Sequence, residues 1–105
     1  MSVLLVEDDP DQRFVLSALL RAAGHEVTEC ASARDAEEAD ACEVAFVDRN
    51  LPDADGVDLA QRLGGRVFLL TGEDLPHELK TRLEAKGVAL VLKPVRPEDF
   101  ERLLR

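Results

Sequence analysis

Five short stretches of the chain are rich in β-branched and large aliphatic residues, and a longer stretch with helical spacing follows each of them. Residues 3–6 (VLLV), 44–47 (VAFV), 67–70 (VFLL) and 88–92 (VALVL) are unbroken apolar runs, the pattern of strands buried on both faces. Residues 26–30 (EVTEC) instead alternate polar and apolar side chains, which suits a strand at a sheet edge.

The segments between the strands carry helix signals. Asp9 and Pro10 read as an N-cap and a first helical residue. The helix they open puts Phe14, Val15, Ala18, Leu19 and Ala22 on one stripe, expected to face the core, and Gly24 ends it. Ser32 with Asp35 opens a short helix reaching about Ala39, whose apolar face is only alanine. A third helix fits between Gly56 and Arg66, with Val57, Ala60 and Leu63 inward and Gly64-Gly65 as its stop. Residues 76–86 form a polar helix with Leu79 and Leu83 one turn apart, closed by Gly87. Pro97-Glu98-Asp99 opens the last helix, with acids in its first turn where they suit the dipole and with Phe100, Leu103 and Leu104 as apolar positions.

A strand followed by a helix, five times over, with continuous apolar strands, predicts an α/β fold: a (βα)5 doubly wound, parallel five-stranded sheet, strand order 2-1-3-4-5, with helices on both faces. With 105 residues and no linker, repeat or low-complexity segment, residues 1–105 are expected to form one domain. The formal net charge of −9 argues against direct nucleic-acid binding or attachment to an anionic membrane, and makes cations the natural ligands. Cys30 and Cys42 lack metal-ligand spacing and are expected to be core thiols rather than a disulfide. The N-terminus turns acidic too soon for a signal peptide, and no apolar run approaches spanning length, so a cytoplasmic protein is expected.

Chemistry gathers at the strand ends. Glu7 and Asp8 follow the first strand, Asp48 the third, Thr71 the fourth and Lys93 the fifth. In an open α/β sheet these ends share one edge, and the ligand crevice opens where the winding reverses, between the first and third strands. Three carboxylates held close raise one another's pKa unless a cation intervenes, and a hard divalent ion that keeps several waters, Mg²⁺, answers that need. A carboxylate beside Mg²⁺, with a hydroxyl and an ammonium close by, can take a phosphoryl group: Asp48 attacks, the metal and Lys93 neutralise the phosphoryl oxygens, and Thr71 donates a hydrogen bond.

The pieces LLVEDDP, VAFVDRNLPDADG, FLLTG and LVLKP resemble the receiver domain of bacterial two-component response regulators, over essentially the whole chain. The resemblance implies that Asp48 is the phosphoacceptor, that Asp8 and Glu7 hold Mg²⁺ (Glu7 through water), and that Asn50 adds its backbone carbonyl. It further implies that Thr71 is a switch hydroxyl, that Lys93 binds phosphate, and that the Lys93-Pro94 bond is cis. The protein would then be a phosphorelay signalling switch, charged by a sensor histidine kinase or a phosphotransfer protein. It would catalyse only its own phosphorylation and dephosphorylation. Its output would be altered protein contacts at the face made by the fourth helix, fifth strand and fifth helix, with a downstream protein or a second copy docking around Leu75, Leu79, Leu83, Leu90 and the last helix.

The chain departs from that family in places. Leu90 stands three residues before Lys93, where receivers usually carry Tyr or Phe, and the second and third helices are short. Asn50 and Glu73 occupy positions that in the family tune hydrolysis of the aspartyl phosphate. His25 and His77 lack an orienting partner and are expected to be solvated rather than phosphodonors. Two alternatives stand beside the switch: a receiver-like interaction module that works without phosphorylation, and a Mg²⁺-dependent phosphohydrolase. Against the latter, Asp48 is followed by Arg49-Asn50 and not by a second acid.

Overall fold

The computed structural model describes residues 1–105. Its elements are β1 (Ser2–Val6), α1 (Pro10–Ala22), β2 (Glu26–Cys30), α2 (Ala33–Glu38), β3 (Val44–Asp48), α3 (Gly56–Arg62), β4 (Arg66–Thr71), α4 (His77–Ala85), β5 (Val88–Leu92) and α5 (Pro97–Leu103). The five strands are parallel in the order β2-β1-β3-β4-β5, as the pattern predicts. No helix is long and apolar enough to cross a membrane.

Alternation along the central strands divides the core in two. Val3 and Leu5, Val44 and Phe46, and Phe68 and Leu70 face α1 and α5, meeting Leu16, Leu20 and Phe100. Leu4 and Val6, Ala45 and Val47, and Val67 and Leu69 face the other way, against Ala36 of α2 and Leu59 of α3. Three of the four phenylalanines belong to the first layer: Phe46 stacks on Phe68 with ring centroids 5.1 Å apart, and meets Phe100 edge-on at 5.1 Å. Such aromatic pairs add about 0.5–1.5 kcal/mol beyond their burial. They anchor β3, the strand that ends in Asp48.

The expected inward stripe of α1 is on the wrong face. Phe14 and Val15 are 72% and 53% exposed, Ala18 and Ala22 are exposed and Leu19 is half-buried; Leu16, Ser17 and Leu20 are the buried positions. From Phe14 to Leu20 every residue but Ser17 is apolar, so periodicity does not single out a face. The helix's start decides its rotation: the Asp9 carboxylate accepts from the amides of Asp11 and Gln12, and Arg13 reaches back to the carbonyls of Glu7 and Asp8. In α3 the inward set is Val57, Leu59 and Ala60, with Leu63 only half-buried because the helix ends at Arg62. Leu75 and Leu83 are also core residues, 4% and 2% exposed, and so offer no docking surface; Leu79 and Leu90 are half-buried.

Two positions test this packing. The Ser17 hydroxyl is buried without a hydrogen-bond partner, a cost of about 1–3 kcal/mol that an alanine avoids. Ser17→Ala should therefore raise stability by ~1 kcal/mol, or ~4–8 °C in Tm, for a domain of this size; a thermal melt showing destabilisation would reverse the assignment. Gly56 lies against the β3 exit, where a Cβ would meet the Asp48 carbonyl oxygen and sit 2.6 Å from the Arg49 Cα. Gly56→Ala should cost about 1–3 kcal/mol by overpacking against backbone, read as a lower denaturation midpoint.

Candidate functional site

Register brings the acids together. Val6 of β1 pairs with Val47 of β3, so the next residues, Glu7 and Asp48, leave the sheet side by side. Both share the alternation of the α1/α5 layer, Val3-Leu5-Glu7 on one strand and Val44-Phe46-Asp48 on the other. Glu7 and Asp48 are buried, at 1% and 4% exposure, whereas Asp8 is exposed. A carboxylate oxygen from each of the three lies within 4.8 Å of the others. Lys93 arrives from the end of β5, where its amide donates to the Thr71 carbonyl at 2.8 Å and continues the sheet ladder. Its Nζ is 2.9 Å from Asp48 Oδ1, 3.4 Å from Glu7 Oε1 and 3.4 Å from Gln12 Oε1. The Lys93-Pro94 peptide is cis, as the resemblance implies.

The charges do not balance. Burial raises the Glu7 pKa from its ordinary value to about 7, and the hydrogen bond and charge of Asp48 push in the same direction, against the opposing pull of Lys93. Burial also works to lower the Lys93 pKa, but its bond to Asp48 and the charges of Glu7 and Asp48 outweigh this and raise it. One firmly protonated ammonium thus faces three carboxyl groups. Glu7 therefore keeps a proton up to near neutral pH. An all-oxygen donor set with surplus negative charge suits a hard divalent ion.

The loop after β3 is tied at several points. Its Arg49 amide donates to the Leu70 carbonyl at 2.9 Å, and Gly56 N donates to the Arg49 carbonyl at 2.7 Å. Asn50 bridges to Asp55, and its amide lies 3.4 Å from Asp48 Oδ1. Asp55 caps α3 through the Val57 amide. Asp53 reaches across to α2, where its two carboxylate oxygens accept from the amides of Ala33 and Arg34 at 2.9 and 3.0 Å. Those two amides hold its carboxyl below the ordinary range.

Of the residues expected at the site, Glu7, Asp8, Asp48 and Lys93 converge and Asn50 adjoins them. Thr71 does not bond to Asp48. It shares the alternation of Val67 and Leu69 on the opposite layer, and its hydroxyl donates to the Glu73 carbonyl at 2.9 Å and accepts from the Glu73 amide at 3.2 Å. Three residues were not anticipated: Gln12 on Lys93, Arg13 on the β1–α1 backbone and Asp53 on α2. Cys30 is buried and Cys42 half-buried, both as free thiols. His77 is exposed, but His25 is half-buried, not solvated, because its Nδ1 sits 3.2 Å from the Met1 amino group.

Comparison with known proteins agrees with this geometry. A family model described as the response regulator receiver domain matches residues 3–105. The two-component response regulator ORR3 of Oryza sativa subsp. indica is 32% identical over 117 residues, covering 96% of this chain and 86% of the relative. The two-component response regulator ARR11 of Arabidopsis thaliana is 27% identical over 110 residues, covering 96% of this chain but only 21% of the relative, so the chain corresponds to about a fifth of that protein's length. Among solved structures, a CheY-like response regulator receiver domain protein from Methanospirillum hungatei JF-1 superposes with a TM-score of 0.85 at 27% identity, over 98% of this chain and 89% of that one. With the strand order, the acidic crevice and the family match in agreement, the chain belongs to the response regulator receiver domain family.

Proposed function

We propose that residues 1–105 act as one phosphoacceptor switch of a two-component or phosphorelay system, in which Asp48 accepts a phosphoryl group. The observation that carries this reading is the Lys93 ammonium at 2.9 Å from Asp48 Oδ1 beside two further acids. That arrangement has a nucleophile, a fixed cation and a vacant cation requirement in one place. The carboxyl groups of Asp8 and Asp48 and the Asn50 carbonyl would hold Mg²⁺, with Glu7 contributing through water. The bound ion would supply charge neutralisation at the phosphoryl oxygens.

The chain's own groups do the rest. Asp48 presents a carboxylate oxygen from the end of a buried, aromatic-anchored strand, and in attacking phosphorus it forms an acyl phosphate while the donor leaves with the bonding electron pair. Lys93 follows the negative charge from the Asp48 oxygen to the incoming phosphoryl group. Thr71 exchanges its bond to the Glu73 carbonyl for one to the phosphoryl oxygens, which draws the β4–α4 turn toward the crevice. The domain catalyses its own phosphorylation and dephosphorylation and turns over no other substrate. The phosphodonor is a sensor histidine kinase or a phosphotransfer protein acting in the cytoplasm; exposed Val15, which lines one groove with Lys93, gives it an apolar margin on which to dock. Output leaves by the α4-β5-α5 face toward a downstream protein or a second copy, with exposed Leu92 and half-buried Leu90 in place of the expected Leu75 and Leu83. Direct contact with nucleic acid or membrane is not part of this reading.

The second reading, an interaction module that works without phosphorylation, is favoured only by Leu90, which packs against the core without an amphipathic ring to swing, and by the short α2 and α3. Incubation with Mg²⁺ and a small acyl phosphate separates the two. Intact mass should show one added phosphoryl group on the natural chain and none on Asp48→Asn; an unlabelled natural chain that still binds Mg²⁺ would favour the module. The metal's pH dependence follows from the Glu7 pKa of about 7. The proton on Glu7 must leave when a divalent ion binds, so Mg²⁺ binding should weaken as pH falls below about 7, by up to about ten-fold per unit. Calorimetric titration between about pH 6 and 8 checks the slope, and an affinity independent of pH would contradict it.

A further inference from the structure

The three acids are not held in the same way. Glu7 is buried, with its amide bonded to the Cys30 carbonyl at 2.9 Å and its carboxylate contacted by Lys93 and the Asp9 amide. Asp48 is buried at the end of β3 and bonded to Lys93. Asp8 is exposed and its carboxylate makes no hydrogen bond or ion pair within the chain, yet it is grouped with the other two. Its direction is set by its main chain.

Arg13 controls that main chain. Its Nη1 donates to the Glu7 carbonyl at 2.9 Å and lies 3.4 Å from the Asp8 carbonyl. These carbonyls belong to the two peptide planes flanking the Asp8 Cα, so one guanidinium restrains both φ and ψ of Asp8 and with them the direction of its Cβ. Arg13 is restrained in turn from β2, where Glu29 lies 3.7 Å from its Nε and also pairs with Arg21 at 3.2 Å. Arg21 donates to the Val27 carbonyl at 3.2 Å, which completes the brace.

We propose that Arg13, braced by Glu29, is a positioning residue that aims the Asp8 carboxylate into the cation site. This rests on the reading of Asp8 as a Mg²⁺ ligand. The charge of Arg13 and its positioning role act with opposite signs. Removing a cation near a metal site strengthens metal binding by electrostatics alone, whereas releasing Asp8 weakens it. Lysine keeps the charge but has a single nitrogen, so it cannot hold the two carbonyls and face Glu29 at once, as Nη1 and Nε of the guanidinium do.

The test is Mg²⁺ affinity by calorimetry on the natural chain, Arg13→Met, Arg13→Lys, Glu29→Gln and Asp8→Asn, with a melt of each metal-free protein to establish folding. Arg13→Met and Arg13→Lys should each weaken Mg²⁺ binding by roughly ten-fold, the usual scale for a group that orients a ligand, and Glu29→Gln by a smaller factor. A folded Arg13→Met with equal or tighter binding, or an Arg13→Lys indistinguishable from the natural chain, would overturn the proposal. If Arg13→Met does not fold, the folded Arg13→Lys protein decides, because it keeps the charge: unchanged affinity overturns the proposal, weaker affinity supports it. Unchanged Mg²⁺ binding in Asp8→Asn would instead remove the metal reading of Asp8 itself, and this proposal with it.

Discussion

Parallel pairing of β1 with β3 places two carboxyl groups side by side at the end of a sheet whose strands are buried on both faces, and the site is organised around relieving that contact. Two unit charges ~4 Å apart at an effective dielectric of ~20 repel by about 4 kcal/mol. That is a large share of the ~5–15 kcal/mol that holds a domain of this kind together. The register cannot slip to separate them, because moving β3 by one residue would turn Phe46 out of its aromatic cluster and every core side chain to the wrong layer. The repulsion is met instead by a retained proton on Glu7 and by Lys93. The raised Glu7 pKa and the firm protonation of Lys93 are two aspects of the same confinement.

The two layers of the core then have different parts. The α1/α5 layer is heavy with aromatic rings around Phe46 and continues directly into Glu7 and Asp48, so both carboxyl groups end strands anchored by that cluster. The other layer is lined by Val, Leu and Ala and continues into Thr71, whose hydroxyl is satisfied within its own turn. A hydroxyl held by two local hydrogen bonds, each a net ~1 kcal/mol, can change partner when stronger charge appears nearby. A carboxylate fixed by strand pairing cannot. The separation of the Asp48 carboxyl from the Thr71 hydroxyl onto opposite layers follows from the period-two alternation of adjacent strands.

How far the chain could be read depended on what left a pattern. The four apolar strands were legible because burial on both faces removes polar positions, and the four reactive strand ends were legible because they interrupt those runs. The inward face of α1 was not, since apolar residues surround Phe14 to Leu20 and the rotation is fixed by hydrogen bonds at the helix's first turn. Leu75 and Leu83 resembled surface leucines of a polar segment, yet the short helices on that layer leave room that they fill. Thr71 was identified as a residue but not by its orientation. Arg13 and Asp53 were missed because their partners are main-chain carbonyls and amides, which every residue possesses and no sequence pattern marks.

Arg13 and Asp53 also show why this domain keeps its crevice with so little helix around it. A six-residue α2 with an alanine face cannot hold itself together by propensity, since helices this short are marginal in water. It is capped from within by Ser32 and from outside by the Asp53 carboxylate on two of its first amides. Those bonds act in both directions, because they also pin the loop that carries Asn50. Likewise Arg13 secures the loop that carries Asp8 to a helix that leaves Phe14 and Val15 exposed. In both loops a charged side chain bonded to backbone does what packing does in the core, and this suits the rim of a cation site, where apolar cover would keep out the water that a hard ion retains.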